Sequence, residues 1–393
     1  MRTPYYLIDQ QILDEDADIF LQAMRDAWPN SRLSYSVKTN ALPWLLSHYL
    51  GKGLTAEVVS AEEYELVRHI GYPIDRIILN GPIKDRRVFT EVLEGGGLVN
   101  LDSRQELDWI RELSGSGRKY RIGLRVNCDL LRLCPGEILA DDEGSRFGWC
   151  YENGELGEVI SALRSLPGTE IAGLHLHSST RSRSVRGFEA IASFACDLAR
   201  EFGLDLSFVD MGGGYAGGIP GHVDCRDYMP AIAKVLASQF SPERTALIAE
   251  PGISLLSRGI TLVTSVLDVK HIREHTYIVT DGSRFYLNPQ VTRRVYPHHC
   301  EYAGGSREIL PVQMICGSSC MEYDRLFEEK DAPAFAGGDK IIYDLAGGYT
   351  MALVPLFIHY PPAVYVRKPD GTMFTARDAW TNDEFLQKNH WEE

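Results

Sequence analysis

Two short segments carry residues that could act on a carbonyl or bind an anion. Lys38 lies in YSVKTN, directly after a run typical of a buried strand, where a solvated lysine has little reason to sit. A lysine in such a place can lose its proton and form a Schiff base with a carbonyl cofactor. DMGGGY (210–215) holds three consecutive glycines, whose backbone amides can approach a phosphate closely. A surface lysine and an ordinary tight turn are the simpler alternatives.

Two further segments carry a carboxylate and two imidazoles at predicted strand ends. AEPGI (249–253) contains Glu250. A carboxylate that faces a pyridine nitrogen keeps it protonated and makes the ring an electron sink. In isolation, a capping or salt-bridged glutamate explains Glu250 more simply. GLHLHSST (173–180) places His175 and His177 two apart, so both point to one side of a strand. His177 suits stacking on a flat ring, and His175 suits the core.

The elements that must position these residues are short apolar runs, each followed by an amphipathic helical pattern. Eight such strands alternating with helices predict a (β/α)8 barrel over residues 12–255. Because the loops after the strands build the active site of such a barrel, Lys38, His177, the glycines and Glu250 should share one rim. The predicted strands are residues 32–37, 55–59, 76–80, 97–102, 121–126, 171–177, 208–211 and 246–250.

From about residue 256 the pattern becomes strand-like with Gly, Pro and Asp turns, which predicts a β-rich sandwich or barrel domain over 256–393. PYYLID is expected to pair with it, so residues 1–11 are assigned to this domain. Its ICGSSCMEYD segment offers Cys320 as an acid or nucleophile, with a buried bystander as the alternative. The acidic stretch 134–144 is typical of a mobile loop.

Composition excludes several classes of function. The 393 residues carry a formal net charge of −14, so no basic surplus favours a nucleic-acid partner. No signal peptide or run of 18 apolar residues is visible, so neither a membrane span nor export is expected and a cytoplasmic location follows by default. The eight cysteines form no CxxC pairs, which argues against disulfides or structural zinc, and no metal site is predicted.

Taken in order, these motifs resemble the barrel-fold (fold type III) ornithine and diaminopimelate decarboxylases, which use pyridoxal 5'-phosphate. The resemblance covers nearly the whole chain. It is carried by YSVKTN, AEVVSAEEYELV, SRFGW (145–149), GLHLH, DMGGGY, EPG, TDG (280–282), GSSCMEYD and GGYT.

The resemblance implies a role for each matching position. Lys38 would carry the cofactor as a Schiff base, which the substrate amine replaces before the α-carboxylate leaves. Cys320 would return a proton to the α-carbon from the partner subunit of a homodimer with shared active sites. His177 would stack on the cofactor ring and Glu250 would pair with its nitrogen. The other implied cofactor contacts are Glu57, Thr180, Gly213, Gly214, Gly252 and Tyr349.

Three departures from the family pattern bear on cofactor and substrate. Ile253 stands where an arginine usually follows EPG, and Ser179-Thr180 stand where Gly-Ser usually follows the histidine. Met321 replaces the acid that usually follows the cysteine, with Glu322 one place later. We therefore expect a substrate other than free ornithine, such as a conjugated amino acid of a siderophore or polyamine pathway. The predicted substrate-binding residues are Asp281, Met321, Glu322 and Arg293.

Two alternatives remain open at this point. Racemases of similar fold also use pyridoxal phosphate, but they pair the ring nitrogen with arginine, so Glu250 favours decarboxylation. A cofactor-binding protein without turnover is the second alternative, and the β domain with a candidate proton donor such as Cys320 argues against it. An inactive paralogue that still binds the cofactor stays open.

Overall fold

The computed structural model describes residues 1–136, 145–178, 183–217, 221–290 and 295–392. The chain divides into two compact units: Asp16–Leu255 forms one, and Met1–Glu15 with Leu256–Glu393 forms the other. Most of the acidic stretch 134–144 lies outside the described residues. Within the described ranges, no helix combines the length and the apolar character that a membrane crossing needs.

Strands and helices alternate through the first two-thirds of the chain. The strands are β1 (Tyr5–Asp9), β2 (Ser31–Ser36), β3 (Thr55–Val58), β4 (Ile77–Leu79), β5 (Leu98–Leu101), β6 (Tyr120–Asn127), β7 (Trp149–Cys150), β8 (Thr169–His175), β9 (Phe208–Asp210) and β10 (Ala246–Ala249). The helices are α1 (Gln10–Ala27), α2 (Pro43–Gly51), α3 (Ala61–Ile70), α4 (Arg86–Glu94), α5 (Arg104–Ser114), α6 (Leu130–Leu133), α7 (Glu155–Arg164), α8 (Val185–Phe202), α9 (Cys225–Leu236) and α10 (Ile253–Leu256).

The unit Asp16–Leu255 is built on a closed parallel barrel. Its strands pair in the order β5-β4-β3-β2-β10-β9-β8-β6, and β5 also pairs with β6, which closes the ring. Each of the eight predicted strands is present, so the predicted barrel is confirmed. Because all strands run the same way, the residues that follow them meet at one end, as the sequence required.

Apolar packing fills the barrel below that end. Phe208 packs with Ile78, Ala172 and Ile248 in one buried cluster. A side chain at position 173 would bring its Cβ within 2.3 Å of the Phe208 ring, so glycine is needed beside this bulky residue. Large and small residues thus alternate between neighbouring strands, which is how a closed barrel reaches the density of a protein interior.

Hydrogen-bonded caps start the helices directly after the strands. In α3, Ser60 accepts a hydrogen bond from the Glu63 amide, and the Glu63 carboxylate accepts one from the Val59 amide. This reciprocal arrangement satisfies backbone donors that a helix start leaves open. Ser103 and Glu106 cap α5 in the same reciprocal way, and the Asp85 side chain caps α4 by accepting a hydrogen bond from the Val88 amide. Short strand-to-helix turns thus hold the end of the barrel.

The second unit is rich in β-structure. Its elements after residue 256 are β11 (Ile260–Ile272), β12 (His275–Thr280), α11 (Arg284–Leu287), β13 (His298–Glu301), β14 (Ile309–Cys316), β15 (Arg325–Pro333), β16 (Lys340–Tyr343), β17 (Ala363–Arg367), β18 (Met373–Arg377) and α12 (Asn382–Leu386). The strands pair in the order β15-β14-β12-β11-β1-β17-β18, and β16 pairs with β11 and β13. The N-terminal strand β1 therefore lies between β11 and β17. The predicted β-rich domain is confirmed as a fold class.

Candidate active site

Lys38 forms a short ion pair at the end of β2. It lies in a tight 3₁₀ turn after the strand, and its Nζ is 2.5 Å from Oε2 of Glu57 and 2.8 Å from Oγ of Ser36. The Ser36 hydroxyl donates to the same Glu57 oxygen at 2.6 Å. Glu57 is almost fully buried, whereas 40% of the Lys38 side chain is exposed. The lysine is therefore held by its neighbours yet remains open to a reactant.

Glu250 lies just past β10 and is buried among hydrogen-bonding groups. Its Oε1 accepts a hydrogen bond from Nδ2 of Asn80 at 2.8 Å, and its Oε2 lies 3.4 Å from Nε2 of His175. Burial opposes ionisation, but the charges of His175 and Lys38 and the hydrogen bonds from His175 and Asp210 outweigh it. Together they lower the pKa of Glu250 to about 2. The carboxylate is ionised at any physiological pH.

Asp210, at the end of β9, is a fully buried acid that lies close to Glu250. Burial, the charge of Glu250 and the hydrogen bond between the two side chains raise the pKa of Asp210 well above its ordinary value. The ligand atoms of His175, Asp210 and Glu250 lie within 4.8 Å of one another, a spacing that a metal ion could also bridge. A raised pKa leaves Asp210 neutral beside the ionised Glu250, which accounts for this proximity without a cation.

His177 follows β8 and is held by the glycine run. Its Nδ1 accepts a hydrogen bond from the Gly213 amide at 3.1 Å. Burial lowers the pKa of His177 to about 3, aided by the charges of His175, Lys38 and Arg125. The imidazole is thus neutral, as an acceptor at Nδ1 requires. Its ring lies nearly parallel to that of His175, at an interplanar angle of 17°.

The glycines of DMGGGY are required by close approach and by backbone conformation. A Cβ on Gly212 would lie 2.5 Å from Cβ of His177, and one on Gly213 would lie 2.5 Å from the Glu250 carbonyl oxygen. Gly214 has a φ of +94°, and a Cβ there would meet open space. In Gly252 a Cβ would lie 2.0 Å from Oγ1 of Thr39. The backbone near Gly214 is therefore open toward a bound anion.

A polar side chain from every barrel strand, or from the position just after it, is buried at this end of the barrel. We call this set the polar layer, and each member is at most 8% exposed. Five members were not singled out from the sequence, namely Ser36, Asn80, Asn100, Arg125 and Asp210. All of them except Ser36 follow or interrupt a largely apolar strand run, which is the signal that could have found them. The polar layer consists of Ser36, Glu57, Asn80, Asn100, Arg125, His175, Asp210 and Glu250.

Arg125 is held in place by Asp102 and Phe147, which lie outside the polar layer. Its Nη1 lies 3.3 Å from Oδ2 of Asp102, and its guanidinium carbon lies 4.6 Å from the centre of the Phe147 ring. The other Asp102 oxygen accepts a hydrogen bond from the Gly148 amide at 2.6 Å. The predicted SRFGW motif (145–149) therefore orients a cation in the barrel.

In the second unit, Cys320 is exposed on a turn, so its interpretation as a buried bystander is wrong. The turn is organised by Asp324, which accepts hydrogen bonds from Ser283, from the Arg284 amide and from the Ser319 amide. Asp324 stands in the quoted GSSCMEYD motif but was assigned no role from the sequence. It ties the residues that follow the TDG motif to the cysteine turn.

The predicted substrate-binding acids of this unit are engaged elsewhere. Oδ1 of Asp281 accepts a hydrogen bond from the Ser265 amide at 2.8 Å, and burial raises its pKa. The exposed Glu322 pairs with Arg325 at 3.0 Å. Met321 is half-buried. None of these three presents an uncommitted carboxylate to a distant ammonium group.

Three other predicted residues need separate mention. Tyr349 is half-buried and has a φ of +56°, an unusual backbone conformation for a tyrosine. Thr180 and Arg293 lie outside the described residues.

The residues of the barrel unit fit pyridoxal phosphate. Lys38 supplies an amine beside a carboxylate that can take its proton, and Gly214 offers open backbone for a phosphate. The ionised, buried Glu250 calls for a cationic partner, which a protonated pyridine nitrogen would provide. A parallel barrel with this arrangement defines a pyridoxal-phosphate enzyme.

Comparison with known families supports the assignment of pyridoxal phosphate as the cofactor. The sequence model of the pyridoxal-dependent decarboxylase family, for its pyridoxal-binding domain, matches residues 19–257. The chain belongs to this family, and it is a pyridoxal-phosphate-dependent amino-acid decarboxylase.

Individual relatives match along nearly the whole chain. Diaminopimelate decarboxylase of Aquifex aeolicus is 26% identical, with 98% of this chain and 91% of the relative covered. The L-glutamyl-[BtrI acyl-carrier protein] decarboxylase of Niallia circulans is also 26% identical, with 98% and 93% covered. The crystal structure of diaminopimelate decarboxylase from M. jannaschii superposes with a TM-score of 0.87 at 20% identity, covering 99% of this chain and 92% of that one. At this sequence identity, the similarity to the M. jannaschii structure shows a shared fold.

Proposed function

We propose that the chain removes the α-carboxylate of an amino acid and that Lys38 is the lysine that binds the cofactor. The Lys38–Glu57 ion pair at the end of β2 is the observation that carries this assignment. Reduction of the holoenzyme with borohydride tests it: the cofactor should become fixed to the peptide that contains Lys38. Labelling of a different lysine would contradict the assignment.

The residues around Lys38 have distinct tasks. When bound, pyridoxal phosphate supplies an electron sink for the carbanion left after carbon dioxide departs. Glu57 can accept the ammonium proton of Lys38 so that Nζ reacts as a free amine. Glu250, which is ionised, would hold a proton at the ring nitrogen and so favour decarboxylation over racemisation. His177, neutral and planar, would stack on the ring. The phosphate would be held by Gly213, Gly214, Gly252, Thr180 and Tyr349.

The proton that replaces the carboxylate comes, in our proposal, from Cys320 of a second copy of the chain. Cys320 is exposed, as a residue that serves another subunit must be before assembly. Beside its turn, the Phe285 ring contacts Tyr323 and Phe357. Several apolar residues there are exposed, including Tyr323 at 48%, Phe357 at 41% and Ile358 at 51%. Such a patch marks a surface that another protein covers.

Mixing two inactive variants tests the shared site. Lys38→Ala and Cys320→Ala should each lose activity, whereas the mixture should regain up to about a quarter of the wild-type rate, because random dimers restore one intact site in half of the molecules. A mixture that stays inactive although the variants exchange subunits would contradict the proposal. Light scattering at several concentrations checks that the assembly is a dimer.

For the substrate, we propose an amino acid whose side chain is conjugated rather than one with a free distal ammonium group. Met321 follows the cysteine, Glu322 already pairs with Arg325, and Asp281 is occupied by the Ser265 amide. A half-buried apolar side chain and engaged acids disfavour a free ammonium ion. The Niallia circulans relative is named for an amino acid carried on a protein, which supports a conjugated substrate.

A screen of carbon dioxide release distinguishes the substrate classes. The panel contains ornithine, lysine, arginine, diaminopimelate, carboxynorspermidine and citryl-diaminopropionate. We expect citryl-diaminopropionate, whose side-chain nitrogen is acylated and uncharged, to give the highest kcat/KM. Efficient turnover of free ornithine or lysine would overturn the substrate proposal while leaving the decarboxylase assignment intact.

A further inference from the structure

We propose that Asn80 is a positioning residue that holds the carboxylates of Glu57 and Glu250 at a fixed spacing and keeps Glu250 as an anion. This inference rests on the proposed function, in which Glu250 serves the cofactor nitrogen and Glu57 serves Lys38. It adds a residue that neither the motifs nor the comparisons assign. The case depends on one buried amide placed between two buried acids.

The amide of Asn80 matches the two acids in number and direction. Its Nδ2 donates to Oε1 of Glu250 at 2.8 Å and to Oε1 of Glu57 at 3.3 Å. An asparagine amide carries two N–H donors, so each acid receives one. All three side chains are at most 4% exposed. Hydrogen bonds to ionised groups in such surroundings are stronger than those between neutral groups.

The orientation of the Asn80 amide is fixed from the opposite side. Its Oδ1 accepts a hydrogen bond from Nδ2 of Asn100 at 2.8 Å. Asn100 lies in β5 opposite Gly123 of β6, where a Cβ would come within 1.9 Å of its Oδ1. If the Asn80 amide were turned over, its oxygen would face two carboxylate oxygens. The row from Gly123 to Asn80 therefore directs both donors at the acids.

These hydrogen bonds affect whether a proton between Glu250 and the cofactor ring nitrogen lies on the nitrogen or on the carboxylate. A carboxylate that accepts a buried hydrogen bond is a weaker base, so a proton between it and a ring nitrogen stays on the nitrogen. Without Asn80, Glu250 would compete for that proton, and Glu57 would lose a donor as well. One amide thus links the group that holds Lys38 to the group that holds the far side of the cofactor.

Nitrogen NMR of the holoenzyme loaded with ¹⁵N-labelled pyridoxal phosphate tests this inference. The ring-nitrogen chemical shift reports its protonation independently of turnover. In Asn80→Leu, which removes both donors at similar volume, the equilibrium should move about tenfold from nitrogen toward the carboxyl group. Asn80→Asp keeps the shape but cannot donate to both acids, so it should shift in the same direction. Asn288→Leu, at a buried asparagine of the second unit, is the matched control and should give the wild-type shift.

The outcomes separate two failures. A wild-type enzyme whose ring nitrogen is unprotonated at neutral pH would refute the role proposed for Glu250, and with it the basis of this inference. A protonated wild type whose shift is unchanged in both Asn80 variants would overturn the role of Asn80 alone. If Asn80→Leu does not fold, the isosteric Asn80→Asp still decides the question.

Discussion

The polar layer of the barrel and the cysteine turn of the second unit are built in opposite ways. The polar layer takes its side chains from rigid strands, buries each of them, and connects most of them by hydrogen bonds to one another. The cysteine turn, residues 317–324, leaves Cys320 and Glu322 exposed and is held mainly through Asp324. In the polar layer, the positions of the side chains are fixed by burial and hydrogen bonds. In the cysteine turn, the backbone is held but the side chains of Cys320 and Glu322 are exposed.

This contrast separates cofactor chemistry from substrate choice. A buried polar group that loses its partner costs on the order of 1–3 kcal/mol or more, so the polar layer tolerates little change. An exposed turn residue can be replaced at a cost of about 0.5 kcal/mol or less. Changes in the barrel should therefore affect the reaction itself. Changes in the turn, apart from the proposed proton donor Cys320, should affect which molecule reacts.

The largest effect predicted for the polar end of the barrel comes from replacing Lys38. Lys38→Ala should lose the covalent cofactor and reduce kcat by at least ~10³-fold, since it removes the amine that forms the Schiff base. Absorbance above 400 nm and carbon dioxide release are the measurements. Lys38→Arg, which keeps the charge next to Glu57 but cannot form a Schiff base, is the control and should be equally inactive. Retained absorbance in Lys38→Ala would refute the central role of this residue.

Glu250→Gln should have the next largest effect. The glutamine keeps the shape and can still accept the Asn80 hydrogen bond, but it cannot hold a proton on a ring nitrogen. We expect kcat to fall by roughly 10²–10³-fold, the scale of removing one preorganised electrostatic contact. Steady-state kinetics and the absorbance spectrum measure this. Glu322→Gln in the exposed turn is the control, and an equal loss there would contradict the division between the two regions.

The sequence predicted the fold well, because a closed parallel barrel leaves a strong periodic signal. All eight strands were located within about two residues, since buried parallel strands are nearly continuous apolar runs. Lys38, His177 and Glu250 were found because they stand at strand ends. Their roles could be stated only through the resemblance to a family, since a glutamate at a strand end has many simpler explanations.

The residues that the sequence did not reveal act through other residues. Asn80 binds Glu250, Asp210 lies beside Glu250, and Asp324 holds the Cys320 turn. Asn80 and Asp210 are far in sequence from Glu250, and Asp324 is far from Ser283, which it also binds, so no local pattern joins these pairs. Only the closed barrel brings β4 and β10 within hydrogen-bonding distance of one another's side chains. The pKa of a buried acid likewise depends on neighbours that spacing alone does not identify.

His177 is expected to have a smaller effect, on the pH dependence of the free energy of unfolding. Its folded pKa of about 3 lies below the 6.5 of an unfolded histidine, so the unfolded chain binds more protons between these values. The contribution of His177 to stability is thus complete above pH 6.5 and is lost as the pH falls. Glu250 contributes a similar loss only below pH 4.5. Urea unfolding of the apoprotein between pH 7 and 4.5 should therefore show a slope in wild type that is smaller in His177→Gln, by up to ~1 kcal/mol per pH unit. Identical slopes would mean that His177 is protonated in the folded chain.

The smallest expected effect comes from a substitution in the cysteine turn itself, at Met321. Met321→Glu places a carboxylate directly after Cys320, where the family usually has an acid. Because the position is half-buried, a new ion pair with a substrate ammonium group should be worth ~1 kcal/mol, or about a fivefold gain in kcat/KM for lysine or ornithine. The matched variant Met321→Gln adds a polar group of the same size without the charge and should give no gain. High salt should reduce the gain, since a partly exposed pair is screened. If Met321→Glu instead abolishes cofactor binding, the turn is not merely a specificity element, and the separation between a fixed barrel layer and a variable turn fails.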